Sequence, residues 1–140
     1  PDSLYGVSKV FGETLARLYY DKFGIDCLAI RICTANSPKT SRETQLWCSP
    51  EYLARLVETG LLHDKLGYRI IYGISANDQA FYINPDDPDL NWSAEHNSSE
   101  LGLPFAGRPL DPDDPLNQQH GGIFAIRGHF EDDPPPKPPL

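Results

Sequence analysis

Residues 18–32 read Leu-Tyr-Tyr-Asp-Lys-Phe-Gly-Ile-Asp-Cys-Leu-Ala-Ile-Arg-Ile, and this stretch decides the fold class. Its first part closes an apolar series that recurs every three to five residues and predicts one face of a long helix: Val7, Phe11, Leu15, Leu18 and Phe23. Gly24 is placed to end that helix in the left-handed conformation. Ile25–Ile32 is short and almost continuously apolar, which is typical of a strand buried on both faces of a parallel sheet.

The succession of a helix and an apolar strand occurs a second time. Ser49-Pro50-Glu51 has the residues of a helix start, with a serine N-cap, a proline at the first helical position and an acid in the first turn. The apolar face continues to about Leu62, and Tyr68–Ile74, after Gly67, predicts a second buried strand. Two such repeats predict an α/β fold with a parallel sheet.

Composition changes along the chain, because most of its 14 prolines follow residue 84. We therefore expect three parts: an α/β core over 1–83, a loop-rich segment over 84–133 and a disordered proline tail over 134–140. Within the loop-rich segment, residues 92–103 have some helical character and Gly122–Arg127 is a candidate for a short extra strand. Asp111–Pro115 predicts a stiff acidic loop rather than a calcium site, because it lacks the ligand spacing of calcium loops.

Charge and cysteine usage limit the classes of partner. The net charge of −8 argues against nucleic acid, since phosphate binding needs a basic surface. No apolar run approaches the ~20 residues of a membrane span, and no signal peptide is recognisable. The three cysteines lack Cys-x-x-Cys spacing and the four histidines lack metal-ligand spacing, so we expect free thiols, a cytoplasmic location and no metal. The absence of methionine predicts a piece of a longer protein.

Tyr5 and Lys9 lie four positions apart in the first turns of the predicted helix, so their side chains share one face. A phenol is a poor base near neutral pH because its reference pKa is about 10, and an adjacent ammonium favours the phenolate. Such a pair can move a proton on or off a substrate hydroxyl while another group takes the hydride. The spacing also occurs by chance in many proteins, so its surroundings must support the catalytic interpretation.

Thr34–Gln45 is predicted to be a polar loop after the first strand. Open α/β sheets bind ligands at the carboxyl ends of their strands. Lys39 and Arg42 can each meet an anion there, the guanidinium in the bidentate manner that suits a carboxylate. The alternative for both residues is a solvated loop charge.

Tyr5–Glu13 and the later Ile30-Arg31-Ile32 resemble the extended short-chain dehydrogenase/reductase family of NAD-dependent epimerases and dehydratases. Within that family, several segments resemble the uronate dehydrogenases in particular: Asp2–Gly6, Leu18–Phe23, Ile71–Asn77, Asp111–Pro115, Gly121–Phe124 and Gly128-His129. The similarity covers most of residues 1–133. It implies the carboxyl-terminal part of a Rossmann-type parallel sheet with a loop-rich, proline-rich end, and a homo-oligomer.

The resemblance implies oxidation of a hexuronic acid at C1 to an aldarolactone, with hydride transfer to NAD. Tyr5 would take the C1 hydroxyl proton, and Lys9 would bind the nicotinamide ribose and favour the phenolate. Tyr5, Lys9 and Ala35 would contact the cofactor, and Thr34 and Arg42 the substrate. The sequence contains neither the glycine-rich strand-to-helix turn that holds a dinucleotide nor the family's upstream Ser or Thr. We therefore expect the chain alone to bind NAD weakly or not at all.

Two other functions fit the same residues. One is a nucleotide-sugar epimerase or dehydratase of the same superfamily, although those enzymes need a larger carboxyl-terminal domain for the nucleotide. The other is a truncated, non-catalytic remnant that acts at most as an interaction module, and the missing glycine-rich turn favours it.

Overall fold

A computed structural model of the chain describes residues 1–85, 87, 89–90 and 92–126. In chain order the elements are helix α1 (Leu4–Phe23), strand β1 (Cys27–Ile32), helix α2 (Ser41–Gln45), helix α3 (Pro50–Leu62), strand β2 (Tyr68–Gly73), a 3₁₀ helix (Ser98–Leu101), helix α4 (Pro115–Gln118) and helix α5 (Ile123–Ile126). The two strands form a parallel sheet. The predicted α/β class is confirmed. No helix in the described ranges is long and apolar enough to cross a membrane.

Helix α1 begins and ends where its sequence predicts. The Ser3 hydroxyl accepts a hydrogen bond from the backbone N–H of Gly6 at 3.0 Å, as an N-cap side chain does. Gly24 follows the last helical residue with φ of +66°, and its N–H donates to the carbonyl of Tyr20 at 2.9 Å. The five apolar residues of the series on this helix are 42 to 68% exposed to solvent, so the described part of the chain does not bury them.

The chain folds as two compact units. The first contains residues 1–12 and the described residues from 110 to 126, and the second contains the described residues from 13 to 109. The described residues between 84 and 109 thus cluster with the second unit, and the boundary expected after residue 83 stays a prediction. The proline tail expected over 134–140 lies outside the described residues.

The sheet of the second unit packs one face on α3. Paired residues of parallel strands point to the same side, so Leu28, Ile30 and Ile71 share this face. Leu28 and Ile30 pack against a core of seven buried residues, of which Ile71 is one: Cys48, Tyr52, Leu56, Leu66, Ile71, Leu90 and Trp92. Gly60 on α3 allows the close approach, because a Cβ there would lie 2.6 Å from Cδ2 of Leu28.

The opposite face of the sheet meets α1 through polar side chains. Arg31 donates two hydrogen bonds to the carboxylate of Glu13, at 2.7 and 2.8 Å, and one to the hydroxyl of Tyr72 at 3.2 Å. Tyr68 donates its hydroxyl to the carbonyl of Glu13 at 2.9 Å. The prediction of strands buried on both faces is therefore wrong for β1, whose last residue, Ile32, is 52% exposed. Among the described residues each strand pairs with one other strand, and the side-chain amide of Asn84 hydrogen-bonds the backbone of Tyr72 on β2.

The Glu13–Arg31 ion pair predicts an acid-dependent loss of stability. We expect Glu13→Gln to lower the free energy of unfolding by about 1 kcal/mol near neutral pH. The hydrogen bonds from Arg31 hold the pKa of Glu13 below its usual value. The pair therefore stabilises the fold above the ordinary glutamate pKa of about 4.3, and this contribution is lost as the pH falls through the lowered pKa. Urea unfolding followed by tryptophan fluorescence, at about pH 7 and about pH 3, measures the effect.

Asp21→Asn is the matched control, because Asp21 pairs with Arg17 on the exposed surface of the same helix at 2.9 Å. Exposed pairs of this kind contribute little, so we expect nearly unchanged unfolding. A Glu13→Gln deficit of equal size at both pH values would contradict the assignment to the charged pair.

Residues 41–45 form a helix where a loop was predicted. Thr40 caps α2, its hydroxyl accepting from the N–H of Glu43 at 3.2 Å, and the Glu43 carboxylate accepts from the N–H of Lys39 at 2.6 Å. Thr40-x-x-Glu43 has the Ser/Thr-x-x-Glu pattern of a capping box, and that signal was available in the sequence. Apart from that pattern, a helix of five residues is too short to be predicted from the periodicity of its apolar residues.

The extra strand predicted over Gly122–Arg127 is wrong for its described part. Residues 123–126 form α5, whose N–H groups bond to nearby carbonyls: Phe124 to Gly121, and Ala125 and Ile126 to Gly122. Local bonds of this kind leave no donors for a sheet. The helical character expected over 92–103 is limited to the 3₁₀ helix at Ser98–Leu101.

Candidate active site

Tyr5 and Lys9 contact each other in the first turns of α1, within the first unit. The Lys9 ammonium nitrogen lies 4.9 Å from the centroid of the Tyr5 ring, which is a cation–π contact. Both side chains are exposed. The helix therefore places the pair on one accessible face, as the spacing predicts, and its catalytic role stays a prediction.

Phe124 is a neighbour of Tyr5 for which the sequence predicted no role. The two rings stack with centroids 4.8 Å apart and planes 20° from parallel. The stack and the cation–π contact together restrict rotation of the Tyr5 ring. The signal in the sequence was an aromatic residue two positions after a Gly-Gly pair.

The segment before Phe124 is tied to the start of α1. The N–H of Gly121 donates to the Asp2 carboxylate at 2.7 Å. A Cβ on Gly121 would lie 2.5 Å from Oδ1 of Asp2, so a side chain at this position would displace the carboxylate. A glycine therefore permits the contact that helps to hold Phe124 against Tyr5.

The acidic loop of the first unit uses its carboxylates to hold its own backbone. Asp111 accepts from the N–H of Asp113 at 2.9 Å, and Asp114 caps α4 by accepting from the N–H of Leu116 at 2.9 Å. Asn117 adds a hydrogen bond to the carbonyl of Asp111 at 2.8 Å. These contacts make the segment the stiff loop that its sequence predicts. Within the described ranges, no group of three or more His, Cys, Asp or Glu side chains is arranged to hold a metal.

Thr34 and Ala35 follow β1 in the second unit. The N–H of Thr34 donates to the carbonyl of Leu46 at 3.1 Å, and its carbonyl accepts from the N–H of Cys48 at 2.9 Å. This bridge fixes the backbone at the carboxyl end of β1, where α/β sheets present their ligand-binding groups. Thr34 and Ala35 are both half-buried, so the fixed backbone still meets solvent.

Arg42 lies on α2, in the same unit as Thr34. Its guanidinium is 5.8 Å from the centroid of the Phe81 ring, a cation–π contact that the sequence did not predict. Burial raises the pKa of the Cys33 thiol to about 11, and the charge of Arg42 acts in the opposite direction. Arg42 and Thr34, the two predicted substrate contacts, thus belong to the same unit, and their role stays a prediction.

The segment that carries Phe81 is attached to α2. The N–H of Phe81 donates to the carbonyl of Gln45 at 3.2 Å, and the side-chain amide of Gln45 donates to Gln79 at 3.0 Å. These two bonds hold the aromatic ring beside Arg42. The side chain of Lys39, the other candidate cation of this segment, is exposed.

The chain is similar in sequence and in structure to several known proteins. The chain is 38% identical over 135 residues to a uronate dehydrogenase from Agrobacterium fabrum, an alignment covering 94% of this chain and 51% of the relative. Its structure matches a glucuronic acid dehydrogenase from Chromohalobacter salexigens with a TM-score of 0.82 and 39% identity, over 95% of this chain and 51% of that one. The chain is similar to the uronate dehydrogenases. No protein-family model matches it.

A further solved structure is a uronate dehydrogenase from Agrobacterium tumefaciens, in a tyrosine-to-alanine mutant complexed with NAD. It matches with a TM-score of 0.79 and 34% identity, over 96% of this chain and 49% of that one. The chain thus spans about half the length of the uronate dehydrogenases it matches. The resemblance to uronate dehydrogenases and the partial Rossmann-type fold predicted from the sequence are confirmed.

Proposed function

We propose that this chain is the carboxyl-terminal half of an NAD-dependent uronate dehydrogenase. The proposed enzyme oxidises glucuronate or galacturonate at C1 to an aldarolactone, in the cytoplasm and as a homo-oligomer. One observation carries the proposal: an exposed Tyr5–Lys9 pair at the start of a capped helix, in a chain that aligns with uronate dehydrogenases over 94% of its length.

Tyr5 is proposed as the general base for the C1 hydroxyl. Its phenolic oxygen takes the hydroxyl proton, and the ammonium nitrogen of Lys9 lies 4.9 Å from the centroid of the same ring. Phe124 keeps the ring plane fixed, which reduces the orientational freedom lost when substrate and base meet. NAD, when bound, supplies the acceptor for the hydride that leaves C1.

The residues present fit the nicotinamide end of NAD. Lys9 is exposed and offers three N–H donors for ribose hydroxyls, and Ala35 presents backbone at the carboxyl end of β1. The glycine-rich turn that would hold the pyrophosphate is absent from the 140 residues. We therefore assign that turn to the half of the uronate dehydrogenases that this chain does not match.

Arg42 and Thr34 are proposed as substrate contacts. A guanidinium can bind the uronate carboxylate through two parallel hydrogen bonds, and the contact with Phe81 limits where it can point. The Thr34 hydroxyl can donate to or accept from a sugar hydroxyl, on a backbone held by its bridge to residues 46–48. Recognition of the carboxylate is what separates a uronic acid from a neutral sugar.

A fusion enzyme tests the proposal. It joins the part of the Agrobacterium fabrum uronate dehydrogenase that this chain does not match to the amino terminus of this chain. We expect the fusion to form NADH from galacturonate and from glucuronate, and the isolated 140-residue chain to form none. NADH accumulates only in a net oxidation, so an epimerase, which returns its hydride, would give no signal.

Two results would overturn the proposal. NADH formation by the isolated chain would show that the assignment of the pyrophosphate site to another segment is wrong. A folded fusion that binds NAD without oxidising either uronate would show that the proposed substrate is wrong.

A further inference from the structure

Residues 79–84 of the second unit follow β2 and are attached to two other elements. The N–H of Phe81 donates to the carbonyl of Gln45 on α2 at 3.2 Å. The side-chain amide of Asn84 makes two hydrogen bonds at 2.8 Å to the backbone of Tyr72 on β2. This segment therefore connects the sheet to α2, the helix that carries a proposed substrate contact.

Three aromatic rings form a continuous series from β2 to Arg42. The Tyr82 ring stacks on the Tyr72 ring, with centroids 4.2 Å apart and planes 4° from parallel. The Phe81 ring meets the Tyr82 ring edge-on, with centroids 5.1 Å apart. The guanidinium of Arg42 lies 5.8 Å from the centroid of the Phe81 ring. Stacked rings, edge-on rings and a cation beside a ring are all favourable arrangements, so the series links Arg42 to the sheet.

Tyr72 is the firmly held end of this series. Its backbone belongs to β2, and the Arg31 guanidinium lies 5.5 Å from its ring centroid and donates to its hydroxyl at 3.2 Å. Arg31 is itself held by two hydrogen bonds to the carboxylate of Glu13. Tyr82 lies outside the strands and helices, and its stack on Tyr72 therefore gives it a fixed position relative to the sheet.

Arg42, by contrast, is a flexible type of side chain on a short helix. Helix α2 has five residues, and an arginine loses many rotamers when it is held in one place. A bidentate contact with a carboxylate needs one orientation of the guanidinium, so ordering a mobile side chain would weaken binding. A guanidinium that an aromatic ring already holds loses less freedom when the carboxylate arrives. In the proposed enzyme, the affinity for an anionic sugar thus depends on where the Phe81 ring is held.

We propose that Tyr82 is a positioning residue for Arg42. Stacked on Tyr72, the Tyr82 ring keeps the Phe81 ring in the place where it orients the guanidinium for a sugar carboxylate. The inference rests on the proposed function, because it takes Arg42 as the contact for that carboxylate. Tyr82 acts through Phe81 and Arg42, and so determines the affinity for a uronate without a role in the chemical step.

Side-chain motion in the 140-residue chain tests the positioning without any substrate. In a nitrogen-labelled sample, the heteronuclear NOE of the Arg42 Nε–H group reports its motion on the picosecond to nanosecond timescale. We expect Tyr82→Leu and Tyr72→Leu, which each remove one ring of the stack, to lower this NOE, and Tyr82→Phe to keep the parental value. Ile83→Ala is the matched control, because Ile83 is 85% exposed on the same segment, and it should change nothing. A parental NOE in either folded leucine variant would overturn the proposal.

Kinetics of the fusion enzyme test the consequence for the substrate. Tyr82→Leu should raise KM for galacturonate about fivefold with kcat unchanged, and Tyr82→Phe, which restores the ring, should restore the parental KM. The unchanged kcat also shows that the variant is folded. An unchanged KM in Tyr82→Leu, in a fusion whose KM does respond to Arg42→Ala, would overturn this inference and leave the proposed function intact. A KM that does not respond to Arg42→Ala would instead overturn the proposed carboxylate contact itself.

Discussion

Replacing Tyr5 by phenylalanine in the fusion enzyme is expected to lower kcat for galacturonate at least about a hundredfold. The variant keeps the ring, and with it the stack on Phe124 and the cation–π contact with Lys9. It loses only the hydroxyl that would take the C1 proton. NAD affinity, measured by the thermal shift on adding the cofactor, should change little. Initial rates of NADH formation at saturating galacturonate measure the loss.

Tyr19→Phe is the matched control for this substitution. Tyr19 is on the same helix and similarly exposed, 45% against 52% for Tyr5, but lies in no predicted site. We expect it to leave kcat unchanged. Lys9→Ala should reduce both turnover and NAD affinity, because Lys9 is proposed to contact the ribose as well as Tyr5. Retention of most activity in Tyr5→Phe would assign the proton transfer to another group.

Arg42→Ala in the fusion enzyme should reduce kcat/KM for galacturonate about a hundredfold, mostly through a higher KM. Loss of a bidentate partner leaves the substrate carboxylate desolvated and unpaired, which is the costly outcome for a charge in a binding site. Arg42→Lys should recover only part of the loss, since an ammonium cannot form two parallel hydrogen bonds. Steady-state kinetics over a range of galacturonate concentrations separates KM from kcat.

Galactose, which lacks the carboxylate, and Arg108→Ala provide the controls. Any residual oxidation of galactose should be insensitive to Arg42→Ala, because the lost contact is to a group that galactose does not have. Arg108 is an exposed arginine of the same unit whose carbonyl, rather than its guanidinium, accepts from the Ser41 hydroxyl at 2.6 Å. Its removal should have little effect. A fall in kcat with KM unchanged would show that Arg42 does not bind the carboxylate.

The fold followed from local signals in the sequence. Gly24 ends α1 and Ser49 caps α3 because a left-handed glycine and an N-cap serine act within one turn of their own positions. The two strands were predicted as Ile25–Ile32 and Tyr68–Ile74 and are observed at Cys27–Ile32 and Tyr68–Gly73. Strand ends depend on the partner that each backbone group finds, so single residues at the ends were less predictable.

The contacts that shape the candidate site could not be predicted from sequence patterns. Phe124 meets Tyr5, and Phe81 meets Arg42, across long stretches of chain, and no spacing rule relates such residues. The contact between Tyr5 and Lys9 could be predicted, because both residues lie on one helix and their spacing of four positions places their side chains on the same face.

The parallel pairing of β1 with β2 also sets an order for the synthesis of this chain. β1 ends at Ile32 and its partner begins at Tyr68, so no ladder bond can form until the intervening segment has been made and has folded back. That segment contains α3, whose Gly60 packs against Leu28 of β1, so closure of the loop and docking of the helix assist each other. On the ribosome, the ladder between β1 and β2 therefore forms only after β2 emerges, and this pairing is a late, non-local product of folding.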